Sequence, residues 1–371
     1  MGANHGNWTL PSLIVAGSDL AMQAVESGHP LIAFGRNPES EFLVKSGLAK
    51  ALADDREIGG TFHGAPIVGL ASLSNSDVLV NCSTSVAPID VQAFLVSRTD
   101  ARIIHYSELC HHDPERFVLP QFVQEFRAEL ANHESFYTAF GNQLADQESR
   151  QTLTNFIRYR AGFDLSAMKD YKVRLQDQYF ESFVDLNGAS FIDGGGFDGD
   201  TSEEVVKRFP GYSKIHFFEP SSVNMEKAKL RLGGYTGIEY HEHALSDVAG
   251  TLSFDPEGGS ASQVVVGEGG LVQVSAVRLD DVVHGAVDFI KLDLEGWELK
   301  ALTGAERIVR SSQPNLAIAI YHAAADLREI VAWARKAYDC MSLNFYLRHY
   351  TQGWSETILY VFPERTAKAD A

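Results

Sequence analysis

Two stretches of the chain carry side chains whose type and spacing suit chemistry. The first is Asp193-Gly194-Gly195-Gly196-Phe197-Asp198-Gly199-Asp200-Thr201, where an apolar run through Phe191 and Ile192 enters glycines and then a helix opening near Ser202-Glu203-Glu204. Glycine lets the main chain approach a ligand closely, and a helix N-terminus presents unbonded N–H groups. Gly194, Gly196 and Gly199 satisfy GxGxxG, the pattern of a dinucleotide site. Glu219 ends the next apolar run, roughly 20 residues after Gly199, where a carboxylate accepts hydrogen bonds from ribose hydroxyls. Both features serve NAD and S-adenosylmethionine alike. Asp193, Asp198 and Asp200 decide between them, because three carboxylates repel a pyrophosphate and suit a ligand carrying an ammonium and a sulfonium. The bland alternative is a glycine-rich turn that binds nothing.

The second stretch is Val287-Asp288-Phe289-Ile290-Lys291-Leu292-Asp293-Leu294-Glu295-Gly296-Trp297-Glu298. An apolar strand delivers Lys291 and Asp293 to its C-terminal end, the edge at which open α/β sheets bind ligands. Alternation sets both on one face and turns Leu292 into packing. Lys291 in this reading lowers the pKa of Asp293 or stabilises a developing alkoxide. The bland alternative is a salt-bridged strand end, with Glu295 and Glu298 at the positive end of a helix; it is preferred for Glu298 and rejected for Asp293.

The surrounding elements follow from hydrophobic patterning. Pro30–Gly35, Leu48–Ala53, Asp77–Cys82 and Ala101–Tyr106 read as strands, with helices over Pro38–Ser46 and Pro88–Arg98 between them. Strands alternating with helices predict a Rossmann-like α/β module over residues 1–112. Residues 113–186 repeat Phe117, Phe122, Val123, Phe126 and Leu130 at helical spacing and read as a helical connector. A second α/β domain over 187–371 takes strands from Phe191–Asp193, Lys214–Glu219, Ile238–His241, Val287–Asp293 and Asn315–Tyr321. Met341–Tyr346 and Thr357–Phe362 then form an antiparallel edge. Gly35 and Asp54 echo a nucleotide-binding layout in the first module, but Arg36-Asn37-Pro38 supplies no further glycine, and docking or dimerisation is the blander role.

Composition bounds the partners. With 31 basic against 49 acidic residues the net charge is −18, which repels nucleic acid and anionic lipid. Cys82, Cys110 and Cys340 lie too far apart for a disulfide framework or a zinc ribbon. Met1–Leu10 lacks a basic start and an apolar run, so no signal peptide is expected, and the location expected is cytoplasmic.

The block Asp193–Thr201, then Phe218-Glu219-Pro220, Ala244-Leu245-Ser246-Asp247, Val277–Asp281 and Lys291–Glu298 together resemble the FkbM-type methyltransferases. The resemblance covers roughly Gln178–Pro363, and Gln178-Tyr179-Phe180 is similar to a variant with an extra N-terminal domain. It implies an S-adenosylmethionine-dependent class I enzyme with a seven-stranded Rossmann-like sheet. It assigns Asp193, Gly194, Gly195, Gly196 and Gly199 to the methionine end of the cofactor, with Asp198 and Thr201 also at the cofactor. Glu219 and Pro220 go to the ribose, Ala244 and Leu245 to the adenine, and Asp293 counts at both cofactor and acceptor. Three adjacent glycines depart from the family pattern. The reaction implied is methyl transfer to a hydroxyl of a small metabolite, sugar, glycan or polyketide. Its base is sought among Asp293, Glu295 and His322, with Lys291 beside them; for His322 a hydrogen-bonded strand-end role is the equal alternative. Magnesium on Asp280, Asp281, Asp293 and Glu295 is conceivable but not assigned.

Three further groups carry less. Asp113-Pro114 reads as a helix start capped by Asp113, which leaves His111-His112 without a metal role. His241 and His243 share a strand face with no third ligand in view. Tyr346, Arg348, His349, Tyr350 and Trp354 read either as a cover for the acceptor or as a packed edge turn. The rival readings are an NAD-dependent oxidoreductase on the same glycines and a non-catalytic binding or assembly protein, with homo-oligomers through the N-terminal module.

Overall fold

The computed structural model describes residues 7–364 apart from 16, 29, 255–263, 266–271 and 340, so Cys340 lies outside the described residues. Two compact units divide the chain: Met1–Gly141 with Gln151–Leu175 and His349–Glu356, and Asn142–Arg150 with Gln176–Arg348 and Thr357–Ala371.

The first unit holds strands β1 (Leu31–Phe34), β2 (Ala49–Ala53), β3 (Thr61–Phe62), β4 (Ala65–Val68), β5 (Val78–Asn81) and β6 (Arg102–His105) in the order β3-β4-β2-β1-β5-β6. All neighbours are parallel except the β3–β4 hairpin. Alternation along the inner strands fills two cores: Leu31, Ala33, Leu52 and Val80 face one side, Ile32, Ala51, Ala53 and Leu79 the other. Helices α1 (Asp19–Glu26), α2 (Pro38–Lys45), α3 (Pro88–Arg98) and α4 (Tyr106–His112) connect or flank them. Asn37 and Ser40 form a capping box ahead of α2, with Pro38 in its first turn. Asp113 is the C-cap of α4, correcting its reading as a helix start: His111 and His112 finish the helix, and the chain leaves it at Asp113.

The helical segment after it is not a body of its own. Helix α5 (Gln121–Gly141), bent at His133, belongs to the first unit, and α6 (Gln147–Gly162) begins in the second and ends in the first. Tyr350, Thr351, Gln352 and Ser355 are buried within the first unit, where the amides of Gln352 and Trp354 donate to the carbonyls of Val86 and Thr84. The polar-aromatic stretch is therefore a strand end and a packed turn.

The second unit is built on β7 (Ser190–Gly194), β8 (Lys214–Phe218), β9 (Ile238–His241), β14 (Phe289–Leu292), β15 (Asn315–Ala319), β16 (Leu343–His349) and β17 (Thr357–Pro363). Their order is β16-β17-β15-β14-β7-β8-β9, parallel from β9 to β15 and antiparallel between β15 and β17. The chain leaves β7 for β8 on one side and later returns to β14 on the other, which makes the β7/β14 gap a topological switch point. Helices α7 (Asp200–Arg208), α8 (Ser222–Leu232), α9 (Leu279–Val282), α10 (Glu298–Thr303), α11 (Glu306–Ser312) and α12 (Asp326–Ala337) cover the sheet. A second sheet of β10 (Ala244–Leu245), β11 (Gly250–Phe254), β12 (Val264–Val265) and β13 (Val272–Val277), ordered β10-β13-β11-β12, was not expected from the sequence.

Candidate active site

The C-terminal ends of β7 and β14 stand side by side, with Asp193 the register partner of Lys291. Lys291 Nζ lies 3.0 Å from Asp193 Oδ1 and donates to the carbonyls of Gly195 (2.8 Å) and Gly194 (3.2 Å). Ser202 on α7 donates to Asp193 Oδ2 at 2.6 Å. Asp193 is 0% exposed. Burial pulls the Lys291 ammonium down, but the Asp193 and Asp293 carboxylates override it and hold the pKa above the ordinary lysine value. Asp193 and Lys291 therefore clamp the glycine turn from beneath. The lysine that the sequence groups with Asp293, Glu295 and Glu298 spends its charge on Asp193 instead.

The three consecutive glycines have an internal cause. A Cβ on Gly194 would meet Leu292, one on Gly195 would overlap the Asp293 carbonyl, and one on Gly196 would enter the Phe217 ring. Gly195 also has φ +73° and Gly199, the N-cap of α7, φ +85°. Asp198 turns outward to Arg231 on α8, 2.6 Å away, and Thr201 donates its amide to Asp200. Leu245 packs over Gly194, and Ala244 is buried beside it.

Glu219 follows β8 and points back at the turn. Its Oε2 accepts from the Phe197 amide (3.1 Å) and Oε1 from the Ser221 amide (2.8 Å). Burial outweighs these bonds and pushes the carboxyl up to about 7. Pro220 is half-buried beside it.

Across the switch point, Asp293 emerges just past β14 and Tyr321 and His322 just past β15. Asp293 Oδ2 accepts from Tyr179 Oη at 2.9 Å, and Tyr321 Oη shares both carboxylate oxygens at 3.2 and 3.3 Å. Tyr179 sits in the left-handed region at φ +72°, its amide donating to Tyr360 Oη at 3.1 Å. Neither tyrosine was given a role in the site from the sequence. Glu295, at φ +54°, brings Oε2 to 3.3 Å from His322 Nε2, and Asp293 Oδ1 stands 3.6 Å from the same nitrogen. Glu298 is buried; its Oε1 accepts from the Leu294 (2.7 Å) and Gly296 amides and lies 3.0 Å from His322 Nδ1. Burial alone would lower His322, but Glu295, Glu298 and Asp293 raise its pKa well above the ordinary value. Of the three expected bases, His322 is therefore the one engaged by carboxylates on both ring nitrogens.

Other expected groups lie elsewhere. Asp280 caps α11 through the Arg307 and Ile308 amides and does not join Asp293. His241 meets His216 and Glu239 rather than His243 alone. In the first unit Arg36 Nε pairs with Asp54 at 2.9 Å and Asn37 donates to the Cys82 carbonyl, so the side chains that a nucleotide would use at that turn are engaged with each other. Cys82 and Cys110 are free and buried. Among the described residues no helix is long and apolar enough to cross a membrane.

Comparison with known proteins agrees with this geometry. Residues 193–339 match the family model for the methyltransferase FkbM domain. The methyltransferase FkbM from Methylobacillus flagellatus KT superposes with TM-score 0.71 at 19% identity, over 96% of this chain and 94% of that one. A putative O-methyltransferase from Klebsiella pneumoniae (TM-score 0.35, 13% identity, 63% of this chain and 97% of that one) is too distant to argue from. So is Aeropyrum pernix fibrillarin with natively bound S-adenosyl-L-methionine (0.34, 13%, 50% and 73%). No curated protein sequence matches the chain. The fold is that of the class I methyltransferases, and residues 193–339 match the methyltransferase FkbM domain.

Proposed function

With a methyltransferase FkbM domain over residues 193–339 as the premise, we propose that the chain transfers a methyl group from S-adenosylmethionine to a hydroxyl of a small metabolite, sugar, glycan or polyketide. One observation carries the cofactor: Glu219, 5% exposed, holds a carboxylate at the strand end beside the glycine turn with its pKa pushed up to about 7. A carboxylate so destabilised gains from hydroxyl donors, and the ribose of S-adenosylmethionine supplies two. The glycine turn supports the methionine end through main-chain groups, while Asp193 and Lys291 keep that turn in shape. Ala244 and Leu245 supply the apolar wall for the adenine.

When bound, the sulfonium contributes an activated methyl group, and catalysis is then chiefly alignment. Asp293 suits the part of base toward the acceptor hydroxyl. Tyr179 and Tyr321 fix its rotamer, and Glu295 and His322 line the same edge.

Calorimetry with S-adenosylmethionine, its demethylated product and NAD tests the reading. Micromolar binding of the first two is expected, weakened about a hundredfold in Glu219→Ala, with no binding of NAD. NAD binding in place of S-adenosylmethionine would establish the oxidoreductase instead; binding of neither would remove the enzyme claim. Glu219 is the better probe than Asp193, whose loss would collapse the turn around the unpaired charge of Lys291.

A further inference from the structure

We propose that Asp293, Glu295 and His322 bind a divalent first-row transition-metal ion. The three donor atoms lie within 4.8 Å of one another. His322 Nε2 is 3.3 Å from Glu295 Oε2 and 3.6 Å from Asp293 Oδ1. Those separations exceed the roughly 2.7–2.9 Å of a charge-assisted hydrogen bond. They suit donors that share an ion, since metal–ligand bonds of about 2.0–2.2 Å set neighbouring ligands roughly 3.0–3.5 Å apart.

The imidazole is the independent observation. Its side chain is 6% exposed, and among the described residues no group makes a hydrogen bond to either ring nitrogen. A buried polar ring held without aligned hydrogen bonds needs a partner of another kind. The surroundings have the layout of a metal centre. Glu298 lies 3.0 Å behind Nδ1, anchored by the Leu294 and Gly296 amides, as in a carboxylate–histidine–metal relay. Tyr179 and Tyr321 orient Asp293 through hydroxyl donors. Asp293, Glu295 and Glu298 surround a single imidazole, and a dication offsets that negative charge better than a proton does. One imidazole with two carboxylates selects Mn²⁺, Fe²⁺ or Zn²⁺ over Mg²⁺ and Ca²⁺, which favour all-oxygen sets. That such an ion takes the acceptor's oxygen in its remaining positions rests on the methyl-transfer reading; the binding itself does not.

The test uses Mn²⁺ alone. The full-length chain is stripped with a chelator and titrated with Mn²⁺, bound ion being counted by electron paramagnetic resonance with no S-adenosylmethionine present. The expected result is one Mn²⁺ per chain, weakened at least tenfold in His322→Gln and in Glu295→Gln, and unchanged in Glu226→Gln on the exposed face of α8. Near-ultraviolet circular dichroism shows which variants are folded. Glu295 is in a surface turn, so its variant decides the question if His322→Gln does not fold. Absence of stoichiometric uptake by the wild type, or equal uptake by Glu295→Gln, would overturn the proposal. Failure of S-adenosylmethionine to bind would overturn only the methyl-transfer reading.

Discussion

Glu219 couples its surroundings to solvent pH. Its carboxyl titrates near 7 because burial outweighs the two amide bonds it receives. The folded-state pKa is raised, so the protonated form favours folding, and this stabilisation is lost as pH climbs from the ordinary carboxylate range through about 7. Binding has the opposite sign, because ribose hydroxyls need the ionised acceptor. Affinity for S-adenosylmethionine is therefore expected to be level above pH 8 and to fall about tenfold by pH 6. Calorimetry across that range checks it, and Glu219→Gln should flatten the profile; a level profile in the wild type would take Glu219 off the ligand. This residue, like Asp293, was legible in the sequence because each stands at the end of an apolar strand. The position of Asp193 was legible, its partner was not. Its partner Lys291 lies 98 positions away, and only the β7–β14 pairing brings the two together. Tyr179 and Tyr321 escaped for the same reason: tyrosine beside a strand looks like packing until the fold turns its hydroxyl onto a carboxylate.

Among elements, the junction of β7, α7 and β14 is closely packed, and comparing its Gly195 with Gly188 ahead of β7 separates two physical effects. Gly188 and Gly195 share a left-handed backbone, φ +75° and +73°, but a Cβ on Gly188 meets nothing within 4 Å whereas one on Gly195 overlaps the Asp293 carbonyl. Gly188→Ala is expected to cost about 1 kcal/mol, the conformational term alone. Gly195→Ala adds displacement of the β14 end and should cost about 3 kcal/mol or more, with loss of ligand binding. Urea denaturation of the two variants checks the difference; equal costs would mean that the strand end yields freely. The larger elements were readable, since β1, β2, β5, β7, β8, β14 and β15 are compact apolar runs buried on both faces. The hairpin of β3 and β4 and the sheet of β10 to β13 were not. Several of their strands, β3, β10 and β12, are only two residues long, too short for periodicity to mark them.

For the molecule as a whole, the chain path is the distinctive property. Tyr350, Gln352, Trp354 and Ser355 complete the first unit, although 173 residues of sequence separate them from its preceding segment, Gln151–Leu175. Residues 1–175 expressed alone would lose the Gln352 and Trp354 amides from Val86 and Thr84 and the Trp354 ring from Phe122. The Thr84 carbonyl keeps the Tyr159 hydroxyl at 2.9 Å, but an orphaned Val86 carbonyl and an uncovered apolar surface cost several kcal/mol. The fragment should therefore melt without the sharp near-ultraviolet transition of the full chain and bind a hydrophobic dye; a cooperative melt at the full-chain temperature would show that the returning segment is dispensable. A linear string of module, connector and enzyme domain is the simplest layout that amphipathic runs suggest, and nothing in residues 349–356 themselves says which unit they complete. The same path bears on inheritance. A recombination break between residues 141 and 356 would leave at least one unit without a segment of its own, so a single crossover there cannot deal out two intact units.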